Sequence, residues 1–159
     1  MEAQPRSQAD VGIGRLTLPA GWSVLDQVRR GGRFVLLAAG PAAGGFAPNV
    51  VAVEEAMEPA VTLRQWHLDS LAGTGEVLAS YRLIDVRGTR MAGYPAIARL
   101  GAYGLDRRPL TVVQWVWLID DAVPGRQLGL ALTATCHTRD YPALDPQFGG
   151  VARSYRVVR

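Results

Sequence analysis

The hydrophobic pattern of the chain is centred on the segment Thr111 to Ile119, which has one polar side chain after its first residue and β-branched or aromatic residues at almost every other position. A segment this short and this β-branched predicts a central strand buried on both faces, not a helix. Trp115 and Trp117 lie two residues apart, so their side chains are expected on the same side of the sheet. That side must then be covered by another element or bind a partner.

Strand-like patterns occur on both sides of this segment. The predicted strands are Ile13 to Pro19, Arg33 to Ala38, Asn49 to Glu54, Arg82 to Arg87, Pro95 to Tyr103, Thr111 to Ile119, and Gln127 to Cys136. The last four are joined by connections of roughly seven residues, which are too short for parallel crossovers and predict an antiparallel meander. In the last strand, leucines alternate with Gly129, Ala131, Thr133 and Thr135, so one face of that strand carries only small side chains.

One helix is predicted between the strands. Thr62 is a favourable N-cap residue, and Gln65 three positions later completes a capping box. The helix is predicted to end at residues 73–75 and to cover one face of the sheet with an apolar stripe. That stripe consists of Leu63, Trp66 and Leu71. We expect Trp66 to dock on the sheet face that bears Trp117.

A second helix, short or broken, is predicted between Asp140 and Tyr155, where Pro146 and the adjacent glycines interrupt an apolar repeat. Residues Tyr155 to Val158 are predicted to return as a closing edge strand. Together the elements predict an α+β fold with a single twisted antiparallel sheet of about six to seven strands, a C-terminal four-strand meander, and one or two helices packed on the sheet. A flexible N-terminus (1–10) and a single domain (11–159) are expected.

Composition and charge exclude several classes of function. The chain has 159 residues and a formal net charge of +3, and every basic residue is an arginine. The arginines are dispersed and form no basic helix, so nucleic acid is not an expected partner. No apolar run approaches the roughly 20 residues that span a bilayer, and the first residues lack the apolar core of a secretory signal. A cytoplasmic location is expected, with export as the alternative if the natural N-terminus was removed.

The sequence contains few residues that could serve in catalysis, metal binding or disulfide formation. Cys136 is the single cysteine, so no intrachain disulfide is expected. It cannot pair with His137, because neighbours on a strand point to opposite faces. His67 is expected to have a structural or solvent-facing role, and the glutamates between Glu54 and Glu58 to form a solvated rim. The sequence has no metal-type histidine spacing and no nucleophile elbow, so no catalytic residue, metal or cofactor is expected.

Aromatic side chains provide the remaining indication of function. The chain has four tryptophans, a residue type that is enriched both in cores and at binding hot spots. Two helices need not cover both sheet faces. A face of small residues flanked by Trp115 and Tyr103, near the loop Gly40 to Pro48, is therefore predicted to bind an extended apolar ligand or a partner's helix. The candidate binding residues are Trp22, Phe46, Asn49, Tyr103, Trp115, Thr133 and Thr135.

Eight segments, taken in order, resemble one superfamily. They are RLTLPAGW (15–22), GFAPNVVAVEE (45–55), TLRQW with SLAG (62–73), YRLID (81–85), GYPAIARL (93–100), QWVWLID (114–120), LTATC (132–136) and FGGVARSYRV (148–157). This series resembles the PsbP-like fold, and specifically the bacterial branch that contains the LpqN-type actinobacterial lipoproteins and the Eag-type chaperones of Rhs effectors. The resemblance spans nearly the whole chain.

The resemblance implies an antiparallel sheet with helices packed on it and no catalytic residues, since these relatives are binding or accessory proteins. The chaperone relatives shield apolar client segments on a sheet face. The lipoprotein relatives carry an export signal and a lipid-attachment cysteine, and this sequence shows neither. The expected function is a non-enzymatic protein-binding module, such as a secretion-associated chaperone or accessory protein that binds an apolar segment of a protein client. A small apolar ligand carrier, an envelope lipoprotein-like binding protein, a cryptic enzyme and a homodimer remain open alternatives.

Overall fold

The computed structural model describes residues 5–42 and 44–158. The described strands are β1 (Gln8–Val11), β2 (Gly14–Thr17), β3 (Ser23–Arg30), β4 (Arg33–Ala39), β5 (Asn49–Met57), β6 (Arg82–Met91), β7 (Tyr94–Leu105), β8 (Arg108–Asp120), β9 (Gln127–His137) and β10 (Arg156–Val157). The α-helices are α1 (Leu63–Val77) and α2 (Tyr141–Arg153), and a short 3-10 turn (Thr138–Asp140) precedes α2.

Strands β3 to β9 form one antiparallel sheet in the order β3-β4-β5-β9-β8-β7-β6. The predicted α+β class, the number of strands and the C-terminal meander from β6 to β9 are confirmed. The sheet is not the only one, however. β2, which lies in the strand predicted at Ile13 to Pro19, pairs with β1 and with β10 in a separate three-stranded sheet. This small sheet lies against β4 and β5 of the main sheet.

The meander strands are longer than predicted and their turns are tighter. β6 and β7 are joined by Ala92 and Gly93, and β7 and β8 by Asp106 and Arg107. All four residues have positive φ angles, of 50°, 84°, 49° and 62° in that order. Two-residue turns with positive φ at both positions match the right-handed twist of the strands they connect, so pairing continues to the ends of the hairpins. The predicted length of about seven residues was therefore wrong for these two turns, whereas residues 121–126, between β8 and β9, form a connection close to that length.

The first described residues are more ordered than predicted. Residues 8–10 belong to β1, and Ala9 and Val11 are buried because alternate residues of this strand face the core. The flexible N-terminus predicted over residues 1–10 therefore does not include residues 8–10, and residues 1–4 lie outside the described part of the chain. Strand β3 was not predicted, because all eight of its residues are exposed at the sheet edge and show no burial alternation.

Helix α1 begins as predicted. The Thr62 hydroxyl accepts a hydrogen bond from the Gln65 backbone N–H at 3.2 Å, and the Gln65 side-chain oxygen accepts one from the Thr62 N–H at 2.9 Å. The helix then passes through the predicted stop at residues 73–75 and ends at Val77.

Trp66 docks on the opposite face of the sheet from the one predicted. Its indole N–H donates to the Leu130 carbonyl at 3.0 Å. A Cβ built on Gly129 would lie 3.1 Å from the same indole ring. The absence of a side chain at Gly129 therefore makes room for the tryptophan on the face that does not bear Trp117.

Helix α2 covers the face that bears Trp117. It runs without a break through Pro146 and the paired glycines, and it buries Phe148, Val151 and Ala152. Just after the helix, the Tyr155 ring packs edge-on against Trp117 with ring centroids 5.0 Å apart. The segment predicted as a short or broken helix is therefore one continuous helix.

The two helices define the two faces of the main sheet, which we name the α1 face and the α2 face. The α2 face carries Leu36, Val50, Trp115, Trp117, Leu130, Leu132, Ala134 and Cys136, all of them buried. It is covered by α2 and by the small sheet. The α1 face carries the residues in between, including Val35, Val51, Gln114, Thr133 and Thr135.

Both outer strands of the main sheet are irregular. The pairing register shifts between Val24 and Asp26 in β3, and between Leu83 and Asp85 in β6. In each strand one extra residue opposes the neighbour, which is the arrangement of a β-bulge.

Candidate functional site

The α1 face is covered on one side only. Helix α1 contacts β7 and β8 and reaches β9 through Trp66. Among the described residues no helix makes substantial contact with β3, β4 or β5 on this face. We call the α1 face of β3, β4 and β5 the open half.

The centre of the open half is aliphatic. Val35 and Leu37 of β4 lie directly opposite Val53 and Val51 of β5, and all four side chains are half-exposed. Val28 of the edge strand continues the row of Val35 and Val53 and is 41% exposed. Half-exposed valines and leucines that meet across neighbouring strands form a continuous apolar surface, which is a feature of interaction sites.

Charged residues border one end of the open half. Arg30 and Arg33 lie directly opposite each other on β3 and β4, and Glu55 lies opposite Arg33 on β5. Neither arginine forms an ion pair with another described residue. Like charges that face each other across a strand pair destabilise it. The end of the open half near the β3–β4 turn therefore favours a negative group from outside.

A polar network occupies the space between α1 and the sheet. Arg99 of β7 is 2% exposed, and its Nε donates to the Gln114 side-chain oxygen at 2.9 Å. Its Nη1 lies 3.0 Å from three atoms of α1: the His67 Nδ1, the His67 carbonyl oxygen and the Ser70 hydroxyl oxygen. The buried guanidinium thus joins helix to sheet.

Gln114 extends the network along β8. Its amide nitrogen donates to the Thr74 hydroxyl at 3.2 Å and to the Thr133 hydroxyl at 3.1 Å. α1 is therefore attached to the sheet by Trp66 at its start and by polar contacts along the rest of its inner side. Such contacts fix the position of the helix, because each polar group that the helix buries has a partner only in this position.

Burial and charge set the protonation of this network. Burial lowers the pKa of Arg99, although a guanidinium stays charged in proteins. Burial lowers the pKa of His67, and the neighbouring Arg99 charge lowers it further. A neutral His67 can accept a hydrogen bond from Arg99 at Nδ1. The role of His67 is thus structural, in agreement with one of the two roles expected from the sequence.

We expect the protein to lose stability as the pH falls from 7.5 to 5.5, and His67 to cause part of the loss. The folded pKa of His67 lies below its ordinary value of 6.5, so the unfolded chain binds a proton in this range that the folded chain does not bind. The contribution of neutral His67 to the free energy of unfolding is therefore present above pH 6.5 and decreases as the pH falls below that value. Urea unfolding of the wild type and of His67→Gln at both pH values measures the effect.

The variant is expected to lose less stability than the wild type over this interval. The carboxylates are common to both proteins, so the difference between the two proteins isolates His67. An equal loss in both proteins would show that the His67 imidazole is as easily protonated in the folded state as in the unfolded state.

A cleft of about 330 Å³ lies on the other face, between α2 and strands β6, β7 and β8. Leu100, Val113 and Trp115 lie along its apolar base, and charged residues of β6 and α2 line its sides. The cleft exists because α2 crosses β8 and β9 and leaves the neighbouring strands β7 and β6 uncovered on the α2 face.

The two reactive residue types that follow each other in β9 do not meet. Cys136 lies opposite Thr111 and is fully buried on the α2 face, whereas His137 is half-buried on the α1 face. Burial, and secondarily the nearby Asp140, raises the pKa of the Cys136 thiol to about 11. The thiol is therefore protonated at neutral pH and is a poor nucleophile. The described residues contain no group of three or more His, Cys, Asp or Glu side chains that could hold a metal ion.

Glu54 has a structural position instead of belonging to a solvated rim. It is buried on the α2 face and accepts a hydrogen bond from the Ile13 backbone N–H at 2.8 Å. Burial raises its pKa, while the hydrogen bond from Ile13 and the Arg29 charge oppose the change. This carboxyl group joins the β1–β2 turn to the main sheet.

The candidate binding residues fall into separate places. Asn49, Thr133 and Thr135 lie side by side on the α1 face, with Thr135 buried and Thr133 bonded to Gln114. Tyr103 is half-buried on the same face, opposite Leu110 and farther from the open half.

The other three candidates lie away from the open half. Trp115 is buried on the α2 face, and Trp22 is buried with its ring edge-on to Phe148, at 6.3 Å between centroids. Phe46 is half-buried in the loop after β4, which Arg108 holds by donating to the Gly45 carbonyl at 2.8 Å. Ala43 of this loop lies outside the described residues.

The structure adds candidate residues that the sequence pattern does not single out. The aliphatic residues of the open half lie in two predicted strands, but β4 and β5 are apolar at nearly every position, so their pattern does not indicate an uncovered face. Arg99 was passed over as part of an apolar strand. The spacing of His67, Ser70 and Thr74 along one side of a helix was the available signal that a polar group of the sheet faces them.

No protein-family model matches the sequence, and no curated protein sequence matches it. Solved structures do match its fold. The chain is similar to LpqN of Mycobacterium tuberculosis, a protein involved in cell envelope biogenesis. The TM-score is 0.69 and the sequence identity 19%, and the match covers 98% of this chain and 87% of LpqN. Over 99% and 94%, it is similar to the cyanobacterial PsbP protein CyanoP of Synechocystis sp. PCC 6803, with a TM-score of 0.68 and 12% identity.

A third similar structure is Mog1p, a Ran-binding protein of Saccharomyces cerevisiae, with a TM-score of 0.53, 12% identity, and coverage of 98% of this chain and 96% of the other. The chain therefore has the PsbP-like fold, and the resemblance seen in the sequence is confirmed at the level of the fold. Among the described residues no helix is long and apolar enough to cross a membrane.

Proposed function

We propose that this PsbP-like chain is a non-catalytic protein-binding module that takes up an apolar segment of a client protein on the open half. The observation that carries the proposal is the row of half-exposed aliphatic side chains on β4 and β5, beside a helix that covers only the neighbouring strands. An apolar surface of this kind is stabilised when a partner removes it from water.

The segment that fits the open half is an amphipathic helix. A helix with its side chains is about 10 Å across, and neighbouring strands are about 4.8 Å apart, so one helix covers roughly two strands. Helix α1 lies on the middle and one side of the sheet, and three strands remain on the other side. A client helix that packs beside α1 on β4 and β5 completes the layer, and its apolar stripe contacts Leu37, Val51 and Val53.

The client helix is expected to carry acidic residues at one end. Arg30 and Arg33 face each other at the border of the open half without an ion-pair partner among the described residues. Carboxylates from a client would relieve their repulsion and fix the direction of the bound helix.

The comparisons favour binding over catalysis. Mog1p is a Ran-binding protein with this fold, so the fold supports protein recognition in at least one case. The protonated Cys136 thiol and the engagement of His67 with Arg99 also favour a role that makes no use of reactive side chains. The specific role proposed is that of a chaperone or accessory protein, associated with secretion, that shields an apolar client segment.

The proposal is tested with a fluorescein-labelled peptide of about 18 residues, a helix roughly 27 Å long, with a leucine stripe and glutamates at one end. We expect fluorescence anisotropy to show binding to the wild type and at least about tenfold weaker binding to Val53→Lys, since placing an ammonium group under an apolar helix costs more than the 1.4 kcal/mol that a factor of ten represents. Val77→Lys is the matched control, because Val77 is 81% exposed on α1.

Two further peptides complete the design. A scrambled peptide of the same composition lacks the stripe, and a third peptide carries lysines in place of the glutamates. Binding that is equal for the striped and scrambled peptides, or equal for the wild type and Val53→Lys, would contradict the proposal. Urea unfolding of each variant establishes that a loss of binding is not a loss of folding.

A further inference from the structure

We infer that the cleft beneath α2 is a second binding site, and that its ligand is a small zwitterion with an apolar body, such as an apolar α-amino acid. The cleft lies on the α2 face, on the far side of the sheet from the open half. The inference is therefore independent of the function proposed above.

Most of the exposed lining of the cleft is polar, and its sheet side accepts an apolar group of limited size. Its volume of about 330 Å³ is at the lower end of the range of roughly 300–1,000 Å³ that small-molecule sites occupy. The indole of Trp115 and the aliphatic groups of Leu100 and Val113 lie along it. Ala98 on β7 is small, and this leaves space between the strand and the helix.

Of the four arginines that line the cleft, two lie on opposite sides of it. Arg87 belongs to β6, and Arg153 belongs to the last turn of α2. The Arg153 guanidinium lies over Gly149, with its Nη1 2.9 Å from the position of a Cβ built there. Among the described residues neither arginine forms an ion pair. Two guanidinium groups above an apolar base are suited to a carboxylate.

The acidic residues of the cleft have different surroundings. Asp145 accepts a hydrogen bond from the Tyr141 hydroxyl at 3.0 Å, and burial together with this carboxylate raises the pKa of Tyr141 to about 12. Asp85 lies on β6 two residues before Arg87, on the same side of the strand, and has no ion-pair or hydrogen-bond partner among the described residues. Asp85 is thus available to an ammonium group.

The three parts of the site match the three parts of an apolar amino acid. The arginines bind the carboxylate, Asp85 binds the ammonium group, and Trp115 with its aliphatic neighbours contacts the side chain. A purely anionic ligand would meet repulsion from Asp85, and a purely cationic one would meet repulsion from Arg87 and Arg153. The charges therefore select a molecule that carries both signs close together.

The experiment is isothermal titration calorimetry of the full chain with L-phenylalanine and L-leucine. N-acetyl-L-phenylalanine lacks the ammonium charge, and L-phenylalanine amide lacks the carboxylate. We expect at least one free amino acid to bind at least tenfold more tightly than both blocked compounds. Arg87→Gln and Asp85→Asn are each expected to weaken that binding by at least tenfold, whereas Arg82→Gln, an exposed arginine of β6 outside the cleft, leaves it unchanged.

Three results of these titrations would overturn the inference. No binding of either amino acid at millimolar concentration, or equal binding of N-acetyl-L-phenylalanine, overturns the inference. Equal affinity in Arg87→Gln, Asp85→Asn and the wild type overturns it as well. Because the three substituted residues are exposed, the variants are expected to fold, and a thermal unfolding curve for each one checks this.

Discussion

Trp117→Ala is expected to lower the free energy of unfolding by about 3–5 kcal/mol, the range for removal of a large aromatic side chain from a core. Trp117 is 2% exposed at the centre of the α2 face. Its ring also packs edge-on against Tyr155 at 5.0 Å, and this contact attaches the end of α2 and the following strand to the sheet. The substitution therefore loses both the burial of the indole and the anchor of the C-terminal segment.

Urea unfolding measures the loss, with Val77→Ala as the control. Val77 is 81% exposed, so its truncation should change the free energy of unfolding by less than about 0.5 kcal/mol. Trp117→Phe is a useful second variant, because the Trp117 N–H is buried without a hydrogen-bond partner among the described residues. The phenylalanine removes that unpaired donor and should cost much less than alanine. A loss below about 1 kcal/mol in Trp117→Ala would contradict the central place given to this residue.

Arg99→Met is expected to lower the free energy of unfolding by about 3 kcal/mol. Methionine occupies much of the same volume, so the main loss is that of the hydrogen bonds to Gln114, His67 and Ser70. Each buried polar group that is left without a partner costs roughly 1–3 kcal/mol. The removal of a buried charge offsets part of that cost, which is why the expected loss is less than the sum.

The matched control is Arg82→Met, because Arg82 is exposed on the neighbouring strand. Its effect should be within about 0.5 kcal/mol. Arg99→Met should also weaken the pH dependence caused by His67, since the Arg99 charge is one of the two causes of the lowered His67 pKa. An Arg99→Met protein as stable as the wild type would show that the polar network positions α1 without stabilising it.

The sequence was sufficient to predict the meander and the start of α1. The apolar pattern of β8 and the short connections around it admit only antiparallel neighbours, and the pairing from β6 to β9 follows. The capping box of Thr62 depends on residues three positions apart, so it could be identified from local sequence alone. Features that neighbouring residues determine could therefore be predicted from the sequence.

Edge strands and turn lengths could not be predicted from the sequence in the same way. All residues of Ser23–Arg30 are exposed, so this strand shows none of the alternation that burial on one face imposes. Strand β6 continues past its predicted end at Arg87 through three exposed residues (88–90) to the buried Met91, because the two-residue turn brings these exposed positions into pairing with β7. An apolar pattern marks where a strand is buried and does not mark where it ends.

The candidate site could not be predicted without knowing the register between neighbouring strands. Within β8 alone, Trp115 can be placed relative to Trp117, but its relation to Thr133 depends on which residue of β9 lies opposite. The register places Trp115 opposite Leu132 and Gln114 opposite Thr133, so Trp115 and Thr133 are on different faces. The open half was also hidden, since strands that are apolar on both sides give the same pattern whether or not a helix covers them.

The bulges in β3 and β6 have a consequence for how copies of this chain meet. An uninterrupted outer strand offers a ladder of free N–H and C=O groups that a second molecule can extend, and this is how sheets grow into fibres. Here the ladder is broken on both flanks, at Val24–Asp26 and at Leu83–Asp85, and arginines stand along the same strands. The apolar surface of the open half is thus exposed on a sheet whose two outer strands are poorly suited to pairing with a second molecule.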